Sequence, residues 1–273
     1  MILLMVRSER VATNRAPQLT RDDADAYLDR INHGPVRTPT LDVLATLQDA
    51  HVRTVPFENL DIHLSVPLSL SIDRLVKKVI ERHRGGFCFE LNGLFGALLR
   101  TLDFDVRLVE ARHTNPDESL GPRFDHARLI VSLDGRQHLV DVGTGASPRR
   151  PLQLDVDDPQ RAGPVLYRLR PDGDGHRSER LVDDSWEPDW WFDTKPLPLH
   201  AFDDRCVYHQ QSPESHFTQK PLCTLVTEDG HITLSGHQLI TTRRGERHTE
   251  TVTDPLAVLS NRFGIDLPRY PFQ

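Results

Sequence analysis

The chain has 273 residues, of which 37% are hydrophobic and 27% charged, and its formal net charge is -7. That composition suits a globular chain of two or three subdomains, and the acidic balance disfavours a nucleic-acid surface, which needs a basic face. Three cysteines make no disulfide framework and point to a reducing compartment, so the expected location is the cytoplasm.

Met1 to Val6 is apolar but too short for a signal peptide or a membrane span. Polar residues follow to Pro17, and 1–17 reads as a variable extension. No other long apolar run exists, so no membrane partner is expected. Residues 18–103 read as helical. Thr20 can cap a helix with Tyr27, Leu28 and Ile31 on one face, and Thr40 another with Leu41, Leu44, Leu47 and His51. Pro56-Phe57-Glu58-Asn59 interrupts the pattern. Ile72, Leu75, Val76, Val79, Ile80 and His83 then keep helical spacing up to Arg84. Gly85 and Gly86 end that segment. Cys88 opens the next helix, carried by Leu91, Leu94, Phe95, Leu98 and Leu99.

A thiol at a helix start faces free backbone N–H groups and the positive end of the helix dipole, which favours its ionised, nucleophilic form. The competing reading is a buried cysteine packed as a small apolar residue.

The period changes at Asp105. Residues 104–195 read as a mostly antiparallel sheet curled towards a barrel, with Val106, Leu108 and Glu110 alternating against their neighbours. Segments 126–133 and 136–143 form a hairpin about Asp134-Gly135. A turn at Pro171 to Gly175 and an aromatic cluster at Trp186, Trp190, Trp191 and Phe192 follow. In 196–273, Leu197 to Asp204 reads as a short connecting helix. Four short strands come next, and a last helix runs from Asp254-Pro255 to its stop at Gly264.

The hairpin makes a geometric statement. A two-residue turn sets Leu133 opposite Arg136, His126 opposite Gly143 and Arg128 opposite Asp141. His126 and Asp141 then share a face one diagonal step apart, close enough for a hydrogen bond. Cys88, His126 and Asp141 thus supply a nucleophile, a base and a group to orient the base. Arg128 competes for Asp141 in the same register. The fourteen histidines contain no zinc-type pair and the chain has no Cys-x-x-Cys, so no metal is expected. Cys206 and Cys223 read as structural thiols.

Val55-Pro56-Phe57-Glu58-Asn59-Leu60, Arg84 to Gly93 around Cys88, His126, and Leu139 to Gly145 around Asp141 resemble the signature blocks of the arylamine N-acetyltransferases. Tyr208-His209 and Ser212 to Phe217 resemble a later block. The resemblance implies an α+β fold with a cysteine-proteinase-like Cys-His-Asp core. Its parts would be a helical N-terminal domain (18–103), a β-barrel second domain (104–195) and an α/β lid (196–273). It implies N-acetylation of an aromatic amine or hydrazine by acetyl-CoA, a co-substrate rather than a bound cofactor, through an acetylated Cys88. Phe57, Thr144 and Phe217 match positions that line the acceptor pocket. Gly143 and Gly145 would lie near CoA in the cleft between barrel and lid. Two positions depart from the pattern: Thr144 stands where phenylalanine is usual, and Arg128 where the residue is mostly aliphatic. Glu58 and Arg84 are expected to pair and brace the cysteine loop. Two other readings stay open, an amide synthase of polyketide biosynthesis and a transglutaminase-like cysteine hydrolase.

Overall fold

The computed structural model describes residues 16–115 and 117–271, so the expected extension at 1–17 lies outside the described residues except for its last two. The chain opens with α1 (Arg21–Arg30) and α2 (Leu41–Thr54). Thr20 and Thr40 cap them as expected, accepting from the N–H groups of Asp23 and Val43. A two-residue strand, β1 (Phe57–Glu58), and a single turn, α3 (Leu60–His63), follow.

The segment read as one continuous helix has two parts, α4 (Ile72–Leu75) and a π-helical turn over Val76–Glu81. The wider turn keeps Val76, Val79 and Ile80 buried while Lys78 points between Asp61 and Glu90. Next comes α5 (Cys88–Thr101), with every residue buried except Arg100. A helix apolar on all sides belongs inside a core, and α5 packs between the other helices and the barrel.

The barrel contains β2 (Asp105–His113), β3 (His126–Leu133), β4 (Arg136–Val140), β5 (Leu152–Gln153), β6 (Gln160–Ala162), β7 (Val165–Asp172), β8 (Gly175–Val182) and β9 (Ser185–Phe192). They form one antiparallel sheet in the order β5-β4-β3-β2-β9-β8-β7-β6. The Asp134-Gly135 turn has φ 50° and 74°, the left-handed pair that suits strand twist. Its register is the expected one, with Leu133 opposite Arg136 and Leu129 opposite Val140. The edge strands β5 and β6 meet through one side chain. Gln160 accepts from the Gln153 N–H at 2.7 Å and donates to the Gln153 carbonyl at 2.8 Å, which nearly closes the barrel.

A 3-10 turn at Leu199–Phe202 leads into α6 (Asp203–Gln211), longer than the connecting helix expected there. After α7 (His216–Gln219) the chain builds β10 (Leu222–Val226), β11 (Gly230–Ser235), β12 (Gln238–Arg243) and β13 (Glu246–Thr251). It ends in α8 (Pro255–Phe263), capped by Asp254 and stopped by Gly264 at φ 65°. The second sheet has the order β1-β10-β11-β12-β13, so the helical half of the chain donates its first strand. Leu60, Cys223, Ile232, Leu234, Leu259 and Phe263 fill the core beneath it. Among the described residues, no helix is long and apolar enough to cross a membrane.

Candidate active site

Cys88 is the first residue of α5, and two sets of buried polar contacts converge on it. The first holds the loop before it. Gly86 accepts from the Glu58 N–H at 2.8 Å and donates to the Pro56 carbonyl at 3.3 Å. Only glycine fits at 85, since a Cβ there would lie 1.9 Å from the Pro56 oxygen. Arg84 donates from Nε and Nη2 to Glu58 Oε1 at 3.1 and 2.7 Å, the pairing expected from the sequence, and also reaches Asp61 at 2.9 Å. Lys78 continues the chain of charges, 2.9 Å from both Asp61 and Glu90. Glu90 closes it by accepting the Phe87 N–H at 3.1 Å. Burial works against these charges, but Glu90, Glu58 and Asp61 raise the Lys78 ammonium, and Lys78 and Arg84 lower the Asp61 carboxyl.

The second set surrounds Asp141, which is 1% exposed. Its Oδ1 accepts from Asn92 Nδ2 at 3.0 Å and the Gly143 N–H at 2.8 Å. Its Oδ2 accepts from His126 Nε2 at 2.7 Å and Arg128 Nε at 2.9 Å. These donors occupy the lone-pair sites of an ionised carboxylate. Burial alone would raise this carboxyl, but His126, Arg128 and Asn92 hold it well below the usual range. The competition between His126 and Arg128 is therefore resolved by sharing. The expected strand to 143 stops at Val140 because Asn92 intervenes, accepting the Val142 N–H at 3.0 Å and donating to the Ala127 carbonyl at 2.7 Å.

Asn92 lies one turn after Cys88 on α5, so it fastens the hairpin carrying His126 and Asp141 to the start of that helix. Gly143 completes the approach: a Cβ there would lie 2.4 Å from Asn92 Nδ2 and 2.8 Å from the Cys88 Cα. With Nε2 committed to Asp141, the remaining imidazole nitrogen, Nδ1, is the one left for exchange with a thiol. Trp190 of β9 stacks on the His126 ring at 4.5 Å and fixes its plane.

One expectation is corrected. The helix start does not by itself acidify the thiol. Burial pushes Cys88 well up, the charges of Asp141 and Asp125 add to this, and only the Phe89 N–H opposes it among the stronger influences. A lone thiolate is disfavoured in this setting, and a nucleophilic sulfur here would need a nearby base to take its proton and leave a compensated ion pair.

The other sequence-predicted residues gather around the same point. Phe217 packs against Phe57 and Phe87 with ring centroids 6.1 and 5.7 Å apart. Phe57 pairs with Thr224 of β10, and Gly145 abuts Thr224. Thr144 is held between them by Ser147, whose Oγ accepts its N–H at 3.0 Å. Beyond this turn, a cavity of about 1320 Å³ lies between α2, the loop after Gly145 and the β10–β11 turn. Its lining mixes Arg53, Arg149, Arg150, Arg161 and Arg244 with Asp42, Asp49, Glu228 and Asp229, and Arg149 pairs with Asp49 at 2.5 Å. Cys206 and Cys223 are free and buried. Sequence reasoning missed Asn92, Lys78 and Trp190. Asn92 could have been found from its i+4 spacing to Cys88, whereas Trp190 carries no local signal.

A family model described as N-acetyltransferase matches residues 40–271. The arylamine N-acetyltransferase of Mycobacterium tuberculosis is 38% identical over 255 residues, covering 90% of each chain. Its solved structure superposes with a TM-score of 0.82, covering 88% of this chain and 93% of that one. The Mycobacterium marinum arylamine N-acetyltransferase in complex with CoA superposes with a TM-score of 0.82 at 35% identity, covering 89% and 92%.

Proposed function

The chain belongs to the arylamine N-acetyltransferase family, and from that premise we propose that it acetylates aromatic amines or hydrazines through a thioester on Cys88. The acetyl donor is acetyl-CoA, a co-substrate that leaves as CoA. The observation that carries the site assignment is Asp141, bonded to His126 at 2.7 Å and tied to the start of α5 through Asn92.

In this reading His126 takes the Cys88 proton and the sulfur attacks the acetyl carbonyl. The tetrahedral intermediate collapses, CoA departs and takes the proton from the imidazolium, and acetyl-Cys88 remains. The amine then attacks the thioester, gives a proton to His126, and leaves as the amide while Cys88 recovers its proton. Asp141 keeps Nε2 protonated throughout. Backbone N–H groups at the start of α5 are the candidate oxyanion donors, each worth on the order of 10²–10³ in rate. Phe57, Phe217 and Thr144 would bound the acceptor pocket. Thr144 makes that wall smaller and more polar than the usual phenylalanine would. Gly143 and Gly145 would lie near CoA in the cleft between barrel and lid, as the resemblance implies. Three free, buried thiols accord with a cytoplasmic protein.

Intact-protein mass spectrometry tests the reading. Acetyl-CoA should add one acetyl group at Cys88, an aryl amine should remove it with formation of the amide, and Cys88→Ala should fold but acquire nothing. An acetyl group lost to water as fast as to amine would make the protein a hydrolase instead.

A further inference from the structure

We propose that Arg128 is a positioning residue of the acyl transfer: its guanidinium locks Asp141 in place and offsets its charge, so that the charge does not hold the proton on Cys88. The inference rests on the reading that Cys88, His126 and Asp141 carry the reaction. Arg128 is 2% exposed and is the largest of the fully buried side chains. It donates from Nε to Asp141 Oδ2 at 2.9 Å, from Nη1 to Ser178 Oγ at 3.0 Å and from Nη2 to Asp189 Oδ2 at 3.5 Å. Its guanidinium carbon sits 5.7 Å from the ring centroids of both Trp190 and Phe192. An aliphatic residue at 128 would fill the same interior at far lower desolvation cost, so a buried guanidinium needs a reason beyond packing.

The reason lies in the charges around the sulfur. Asp141 and Asp125 both raise the Cys88 thiol, and Cys206 adds to them. Asp125 is already engaged by Arg205 at 2.5 Å. Asp141 has Arg128 as its permanent cation, because His126 must shed and regain charge in each cycle. Around Arg128 itself stand Asp141, Asp189 and the Tyr167 phenol, which burial raises and leaves neutral. Arg128 also takes one of the two donor positions on Oδ2. Without it the carboxylate could turn, and the Nε2 bond that sets the His126 tautomer would loosen.

The test compares wild type with Arg128→Met, Arg128→Lys and the double variant Arg128→Met/Asp189→Asn, which also removes the carboxylate that Met would leave unpaired. Rates of Cys88 alkylation by iodoacetamide and of acetylation by acetyl-CoA are followed against pH by intact mass, alongside thermal melting. Loss of Arg128 should move the alkylation midpoint up by about one pH unit and slow acetylation about tenfold at neutral pH. Arg128→Lys should recover most of the midpoint shift, and the KM for the amine should stay unchanged. Melting temperatures that fall while the midpoint stays put in both Met variants would overturn the proposal and reduce Arg128 to a packing role. Should wild-type protein take no acetyl group, the underlying functional reading fails instead, and the two failures are distinct.

Discussion

Two buried charge clusters flank the nucleophile, and they are built on different terms. On one side Glu58, Arg84, Asp61, Lys78 and Glu90 alternate in sign, and the neighbouring carboxylates raise both cations and so hold their charge. On the other, Asp141 is shared between the Arg128 guanidinium and the His126 imidazole, the side chain able to pass a proton. The first cluster can only hold a loop. The second holds a loop and, in the proposed reading, also passes a proton. Both are largely buried, the second the more completely, with Lys78 of the first only partly buried; what separates their roles is the presence of a group able to change its charge.

Asp141→Asn is the substitution that most directly breaks the second cluster. It removes the acceptor that sets the imidazole tautomer, and acetyl transfer should fall by on the order of 10⁴-fold. It also strands the Arg128 guanidinium, so unfolding free energy should drop by roughly 3–5 kcal/mol, read from a urea titration. A variant with normal stability and normal steady-state rates would contradict both roles.

Alanine at Glu58 or Arg84 breaks the first cluster. Stability should fall by a similar roughly 3–5 kcal/mol, because one buried charge loses its partner. Activity should fall by up to about a hundredfold as the Cys88 loop shifts, well short of the Asp141 effect. Unchanged kinetics in both variants would remove the bracing role.

Acid sensitivity sharpens the contrast from a third direction. Burial lowers His51 to about 3 and His209 to about 4, against an unfolded value near 6.5. Their folded forms stay neutral while the unfolded chain binds protons, so their contribution is complete above about pH 6.5 and is lost as pH falls towards 4. The slope is about 1.4 kcal/mol per unit for each fully coupled histidine. Asp61 and Asp141 are lowered in the fold, so their stabilisation is lost only below about pH 4, as pH passes through the folded values. Urea midpoints should therefore already decline between pH 7 and 5, and His209→Gln should flatten that decline. A midpoint constant down to pH 4.5 would show that these histidines do not set the limit.

Much of this architecture could be read from local signals. Thr20, Thr40, Asp254 and Gly264 mark helix ends through chemistry confined to one turn, and Asp134-Gly135 fixes a register that then pairs His126 with Asp141. The Glu58–Arg84 pair was legible as opposite charges in adjacent motifs. Less accessible were contacts made across long separations. Ser178, Asp189 and Trp190 come from β8 and β9, and nothing near Arg128 announces them. The π-helical turn escaped because its buried residues also satisfy α-helical spacing. The thiol was misjudged because helix position is written in the sequence whereas complete burial is not.

The two-residue strand β1 has a mechanical consequence. Phe57 is bonded to the lid sheet on one edge and to Gly86 on the other, and its ring faces Phe217. A rigid-body swing of that sheet would drag the segment preceding the sulfur along with it. In the proposed reading, acceptors of different size would then be accommodated by turning rings and by the small side chain at 144 rather than by a hinged gate, and the sulfur would keep its position.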